Sequence, residues 1–119
     1  VARKVIPHIY GYLDINVIPR LVQSKMGQLV TPLKPLDALS LGIPLIISDS
    51  PAIREIVSED RGTFFDSGNS ADLKEKIEFI LSNEELRTRK VENGRKWVSA
   101  NATWDHRARM IMEEYEKIL

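Results

Sequence analysis

A chain of 119 residues supports one domain with a modest core, and 43 % apolar and 29 % charged residues are ordinary for a soluble globular protein. Lys plus Arg equals Asp plus Glu at 17 each, so the net charge makes no case for a nucleic-acid partner. The lack of cysteine excludes disulfides and Cys-ligated zinc or iron–sulfur sites, the two distant histidines, His8 and His106, argue against a His-based metal site, and no apolar run reaches the ~20 residues of a membrane span.

Val1 comes first, without an initiator Met or a signal-peptide pattern, so the expectation is an excised segment of a cytoplasmic protein. Residues 5–13 (VIPHIYGYL) are apolar and aromatic and predict a short helix opening at Pro7. Ile15 to Ile18 (INVI) is a β-branched run stopped by Pro19, which predicts a buried strand. Residues 20–34 are irregular, and Pro35 then opens a helix to about Leu41, ended by Gly42. Pro44 to Ile47 (PLII) is a second continuous apolar run. Neither run alternates with polar residues, as expected of parallel strands covered on both faces.

Pro51 opens another short helix, Ala52 to Val57, with Ser50 as its expected N-cap. Gly62 to Phe65 predicts a third strand, closed by the turn Asp66-Ser67-Gly68-Asn69. The alternation of strand and helix predicts two βαβ units with parallel, adjacent strands and right-handed crossovers. The fold class is therefore α/β, three-layer and Rossmann-like. It has about three parallel strands, half of a doubly wound sheet, and a helical tail.

In the tail, Ser70 is expected to cap a helix with Leu73, Ile77 and Ile80/Leu81 on one face. Asn83 is expected to cap the next, with Leu86, Trp97 and Val98 inward and Gly94 interrupting it. Thr103 caps the last, where Trp104, Ala108, Ile111 and Tyr115 form one stripe, read as core packing. The sequon Asn101-Ala102-Thr103 is read as coincidental, since Thr103 already serves as a cap.

The segment with chemistry in it is Thr31-Pro32-Leu33-Lys34-Pro35-Leu36-Asp37-Ala38-Leu39, after the first strand's carboxyl end. Ligands of open parallel sheets bind at that edge. A loop entering a helix there offers unpaired N–H groups, from Leu33, Lys34, Leu36 and Asp37 but not Pro32 or Pro35, together with the positive end of a helix dipole. Both suit phosphate. Lys34 adds a full charge, and Asp37 can accept hydrogen bonds from a pair of sugar hydroxyls. A plainer reading stands beside this one. An Asp in a first helical turn stabilises the helix by about 0.3–1 kcal/mol through the dipole alone, and Lys34 is then a solvated loop lysine. Arg20, just after the first strand, has the same two readings: a phosphate or sugar contact, or a surface ion pair.

Three stretches carry a family resemblance. They are Leu13-Asp14-Ile15-Asn16-Val17-Ile18-Pro19-Arg20, Thr31 through Pro44 (TPLKPLDALSLGIP), and Ser48-Asp49 with Ala52-Ile53-Arg54-Glu55-Ile56-Val57. Together they resemble the carboxyl-terminal domain of retaining glycosyltransferases of family 4, the glycogen-synthase-like group. The likeness continues more loosely through Gly62, Phe65 and Gly68-Asn69-Ser70 to the Trp104 helix. It implies the GT-B architecture of two facing Rossmann-like domains, with residues 1–119 forming the carboxyl-terminal part of the nucleotide-sugar-binding one.

The resemblance also implies that the loop before the helix (Thr31, Pro32, Leu33, Lys34) holds the donor diphosphate and that position 37 holds the ribose. Position 37 carries Asp where the family has Glu. A second acidic residue, expected near positions 28 and 29 to reach the transferred sugar, is replaced by Gln28 and Leu29; Gln28 keeps a hydrogen-bonding side chain.

The activity implied is transfer of a sugar from a nucleotide-diphosphate sugar to an acceptor such as a glycan or lipid-linked saccharide, in polysaccharide biosynthesis. No cofactor or metal is expected, because helix-end amides, Lys34 and Arg20 can carry the diphosphate charge. The acceptor domain and the strands that hold the base are expected to precede Val1, so the isolated chain is expected to be inactive. A sheet divided in this way exposes a strand edge and apolar faces, from which self-association is expected. Two other readings stay open: a nucleotide-sugar 2-epimerase of the same architecture, and a non-catalytic domain that kept the fold for binding or assembly.

Overall fold

The computed structural model describes residues 3–21 and 34–119. A 3-10 turn, Arg3–Val5, leads into α1 (Ile6–Tyr10), with Pro7 in its first turn where a missing N–H costs nothing. Strand β1 is Asn16–Ile18, followed by α2 (Lys34–Leu41), β2 (Leu45–Ser48), the one-turn helix α3 (Pro51–Arg54) and β3 (Thr63–Phe65). Three helices complete the chain: α4 (Ser70–Ser82), α5 (Glu84–Asn101) and α6 (Trp104–Ile118).

The described strands form one sheet in the order β1-β2-β3, parallel throughout, as the apolar runs predict. Val17 lies beside Ile46, and Ile47 lies between Ile18 and Phe64. Successive side chains of a strand alternate between faces, and the core divides accordingly. On one face Leu45, Ile47 and Phe64 pack with Ala38, Leu39, Ile53, Ile56 and Val57, joined by Tyr10, Trp97 and Val98. On the other, Ile46 and Phe65 pack with Ile80, joined by Val17, Leu73 and Ile77. The arrangement is three layers: α1, α2, α3 and α5 on one side, the sheet, and α4 on the other.

Five local expectations need correction. Strand β1 is half-buried along its whole length, whereas β2 is buried at all four positions. From β1 only partly buried side chains reach the two cores, Val17 on one face and Ile18 on the other, whereas β3, likewise paired on one side only among the described residues, is buried at all three positions. The cap of α4 is Asn69, whose side chain accepts from Asp72 N–H at 3.0 Å, one residue before Ser70. Asn83 opens α5 without a side-chain cap bond, and Leu81 faces solvent while Ile80 is buried. Ser50 and Thr103 cap as expected, accepting from Ile53 N–H at 3.3 Å and His106 N–H at 3.1 Å.

The fourth correction is Gly94. Helix α5 runs through it unbroken, and it is buried. A Cβ at this position would lie 2.8 Å from Leu39 Cδ2. Gly94 is therefore the point where α5 approaches α2 closely, and contact with Leu39, itself 2 % exposed, offsets the poor helix propensity of glycine. The fifth is α6. None of its residues is buried, and the stripe read as core lies open to solvent.

A side chain from α5 binds the backbone just before β3. Phe65 C=O accepts from Asp49 N–H at 3.0 Å, so the carbonyl three residues earlier, at Gly62, points the opposite way. Lys90 Nζ of α5 donates to it at 2.9 Å and to Thr63 Oγ1 at 3.2 Å. Burial lowers the Lys90 pKa below its ordinary value, against the pull of Glu59 and Asp60.

Two substitutions test this packing by thermal unfolding. Gly94→Val must displace Leu39 from a filled site, so a loss of about 2 kcal/mol is expected despite the gain over glycine in propensity. A variant as stable as wild type would show that α5 does not press on α2. Gly42 ends α2 at φ +75°. Gly42→Ala is expected to cost about 1 kcal/mol through that left-handed backbone. An unchanged Tm would mean that the turn relaxes elsewhere.

Candidate functional site

The polarity of the sheet decides where chemistry is possible. Helix α2 ends at Leu41, close to the amino edge of the sheet, where Asn16 N–H donates to Pro44 C=O at 2.8 Å. Its opening turn, with Lys34 and Asp37, is therefore at the carboxyl edge. The segments that follow the three strands share that edge: Pro19-Arg20, Asp49-Ser50 and Asp66-Ser67.

Within α2 the sequence sorts by face. Pro35, Ala38 and Leu39 are buried against the sheet, while Lys34 and Asp37, one turn apart, are exposed. An exposed cation and an exposed carboxylate thus stand at the positive end of an eight-residue helix. Arg20 is half-buried, and its carbonyl accepts from Ser67 Oγ at 3.1 Å. The structure brings Lys34, Asp37 and Arg20 to one edge. Gln28, Leu29, Thr31, Pro32 and Leu33 lie outside the described residues.

Serines tie the floor of this edge together. Ser48, almost fully buried at the end of β2, donates from Oγ to Ile18 C=O at 3.3 Å, and Ser67 links β3 to the segment after β1. These bonds tie the carboxyl ends of β2 and β3 to the segment at the end of β1.

One arrangement at the rim escaped sequence reasoning. Arg54, at the end of α3, donates from Nε to Asp49 Oδ1 at 2.7 Å and from Nη2 to Oδ2 at 2.8 Å, a bidentate pair. Nη1 reaches Glu59 Oε1 at 3.2 Å, and the guanidinium carbon sits 3.8 Å above the Phe64 ring. Hydrogen bonding to Arg54 holds the Asp49 carboxyl below the usual carboxylate range despite partial burial, and the same bond raises Arg54. Charge at Asp49 is thus already spent inside the protein, and the residue serves to fix the β2–α3 turn. Its spacing of five residues from Arg54 matches no helical or strand period, so no pattern announces the pair.

No group of acidic, histidine or cysteine side chains suited to a metal ion occurs among the described residues, and none of their helices is long and apolar enough to cross a membrane.

Comparison with known proteins agrees with the fold. A glycosyltransferase from Rickettsia africae superposes with a TM-score of 0.82 at 18 % identity, over 98 % of this chain and 30 % of that one. A sucrose-phosphate synthase from Thermosynechococcus elongatus gives 0.77 at 22 % identity, over 92 % of this chain and 26 % of the other. The C-terminal domain of a group 1 family glycosyl transferase from Francisella tularensis gives 0.71 at 22 % identity, over 87 % of this chain and 51 % of the other. The chain thus spans between a quarter and a half of the structures it resembles. No curated protein matches it. The family described as glycosyl transferases group 1 matches residues 1–97, most of the sequence. An α/β rim with this polarity, and a family match running from Val1 to Trp97, make the chain a member of the group 1 glycosyl transferases.

Proposed function

We propose that this chain is the carboxyl-terminal part of the donor-binding domain of a retaining, family 4 glycosyltransferase, and that Lys34 and Asp37 bind opposite ends of the donor's nucleotide diphosphate moiety. One observation supports this above the others. An exposed lysine and an exposed aspartate share the opening turn of a helix at the carboxyl edge of a parallel sheet. The backbone N–H groups of Leu33 and Lys34 complete the phosphate site in this reading, with Thr31, Pro32, Arg20 and Gln28 as further donor contacts.

The chemistry follows from charge. As the bond from the sugar's anomeric carbon to the diphosphate breaks, its electron pair stays on the phosphate oxygen and negative charge grows there. In this reading a helix amino terminus and the Lys34 ammonium lie next to that charge, so they stabilise the transition state more than the ground state. The ribose end changes no charge in the reaction. Asp37, accepting hydrogen bonds from the ribose hydroxyls, contributes to binding alone. In this reading the acceptor is bound by a domain outside this segment.

Steady-state kinetics of the full-length enzyme, varied against donor, separate the two roles. Lys34→Ala is expected to lower kcat. Asp37→Ala is expected to raise KM for donor with little change in kcat, by an amount equivalent to about 1–3 kcal/mol. Asp37→Glu restores the longer carboxylate and is expected to bind donor as well as wild type or better. Wild-type donor parameters in both alanine variants, with only a small loss of thermal stability, would reduce both residues to helix-end electrostatics and end the assignment.

A further inference from the structure

Gly62 precedes β3, so the Lys90 amine bound to it lies at the amino edge of the sheet, opposite the rim. The side chain is half-buried, and Nζ donates to Gly62 C=O at 2.9 Å and to Thr63 Oγ1 at 3.2 Å. A lysine ammonium carries three N–H donors, and the neutral amine carries two and a lone pair. The side-chain carbon and the two acceptors take three tetrahedral positions around Nζ and leave the fourth free. Beside it lies a cavity of about 340 Å³, lined by Lys90 with Thr63, Phe79, Glu59, Glu75 and Lys76.

We propose that Lys90 is a modification site, an amine that accepts an acyl group from a small acyl phosphate entering this cavity.

The neutral amine is the nucleophile, and this site is built to hold it. Both acceptors still receive an N–H after the proton is lost, and the lone pair is then fixed in the open position. Burial favours the neutral form and lowers the Lys90 pKa; the charge of Lys76 acts in the same direction, against Glu59 and Asp60. The other walls suit the reagent. Half-buried Lys76 lies 3.8 Å from Asp72 and offers its charge to the phosphate, while the exposed ring of Phe79 faces the acyl group. In the step, Nζ attacks the acyl carbon and the N–C bond forms. The bond from that carbon to the phosphate oxygen breaks, its electron pair leaves on the phosphate, and one amine proton passes to solvent. The amide nitrogen keeps one N–H for Gly62 C=O, Thr63 Oγ1 loses its donor, and the positive charge is gone. By contrast, Lys74 and Lys117 lie exposed beside a carboxylate of their own helix, and no pair of acceptors orients their nitrogens.

Incubation of the full-length enzyme with acetyl phosphate, followed over time by peptide mass spectrometry, tests this. Lys90 is expected to gain acetyl severalfold faster than Lys74 or Lys117, and denatured enzyme is expected to lose the preference. Thr63→Val keeps the volume and removes one acceptor; with folding confirmed by thermal unfolding, it is expected to bring Lys90 down to the rate of Lys74. Lys76→Gln, on the cavity wall, is expected to slow labelling of Lys90 by acetyl phosphate severalfold but not labelling by acetic anhydride, which carries no phosphate. Labelling of Lys90 no faster than that of Lys74 overturns the proposal. A preference unchanged in folded Thr63→Val overturns it as well, because accessibility alone would then be the cause. Equal slowing of both reagents in Lys76→Gln overturns the assignment of an acyl phosphate.

Discussion

Ile46 and Ile47 are neighbours in the chain and face opposite sides of the same strand, and both are fully buried. Everything else is arranged around this double burial. Removing one isoleucine side chain from water contributes about 1.5–3 kcal/mol, and both gains require helices on both sides of β2. The helix before the strand and the helix after β3 must therefore lie on opposite faces, as α2 and α4 do. With parallel pairing on each side, α2 then begins at the carboxyl edge and ends at the amino edge. The same apolar requirement that folds the domain thus directs the positive end of α2 to the rim where ligands of such sheets bind.

At that rim the fold separates committed charges from available ones. Asp49 and Arg54 neutralise each other through two short hydrogen bonds and lock the turn that follows β2. Lys34 and Asp37, exposed in the opening turn of α2, are held by backbone geometry alone. Ionic groups left exposed at a helix start are the ones available to a charged ligand, whereas the Asp49–Arg54 pair is not.

Much of this was legible in the sequence because it depends on short, local signals. Apolar runs without alternation gave three strands within one residue of their observed limits, Gly42 ended its helix, and Ser50 and Thr103 marked helix starts. The misreadings share a different cause. Gly94 has low helix propensity, and its burial against Leu39 depends on a residue more than fifty positions away, which no window along the chain contains. The α6 stripe has the period of a buried face, yet period reports that a helix has an apolar side and not which molecule covers it. Within the candidate site, the positions of Lys34, Asp37 and Arg20 at one edge followed from strand order, while the Asp49–Arg54 pair followed from neither period nor composition.

The ammonium of Lys90 on the outward carbonyl of Gly62 has an architectural consequence. A sheet can lengthen only where hydrogen-bonding groups remain unclaimed, and here the two flanks differ. At one flank a cation drawn from α5 holds the carbonyl just before β3; along the other, beside β1, no described strand takes up the backbone. A lysine at a strand edge disfavours the pairing of a further strand there. The side beside β1 is thus the more open of the two to an additional strand, whether from the same polypeptide or from another.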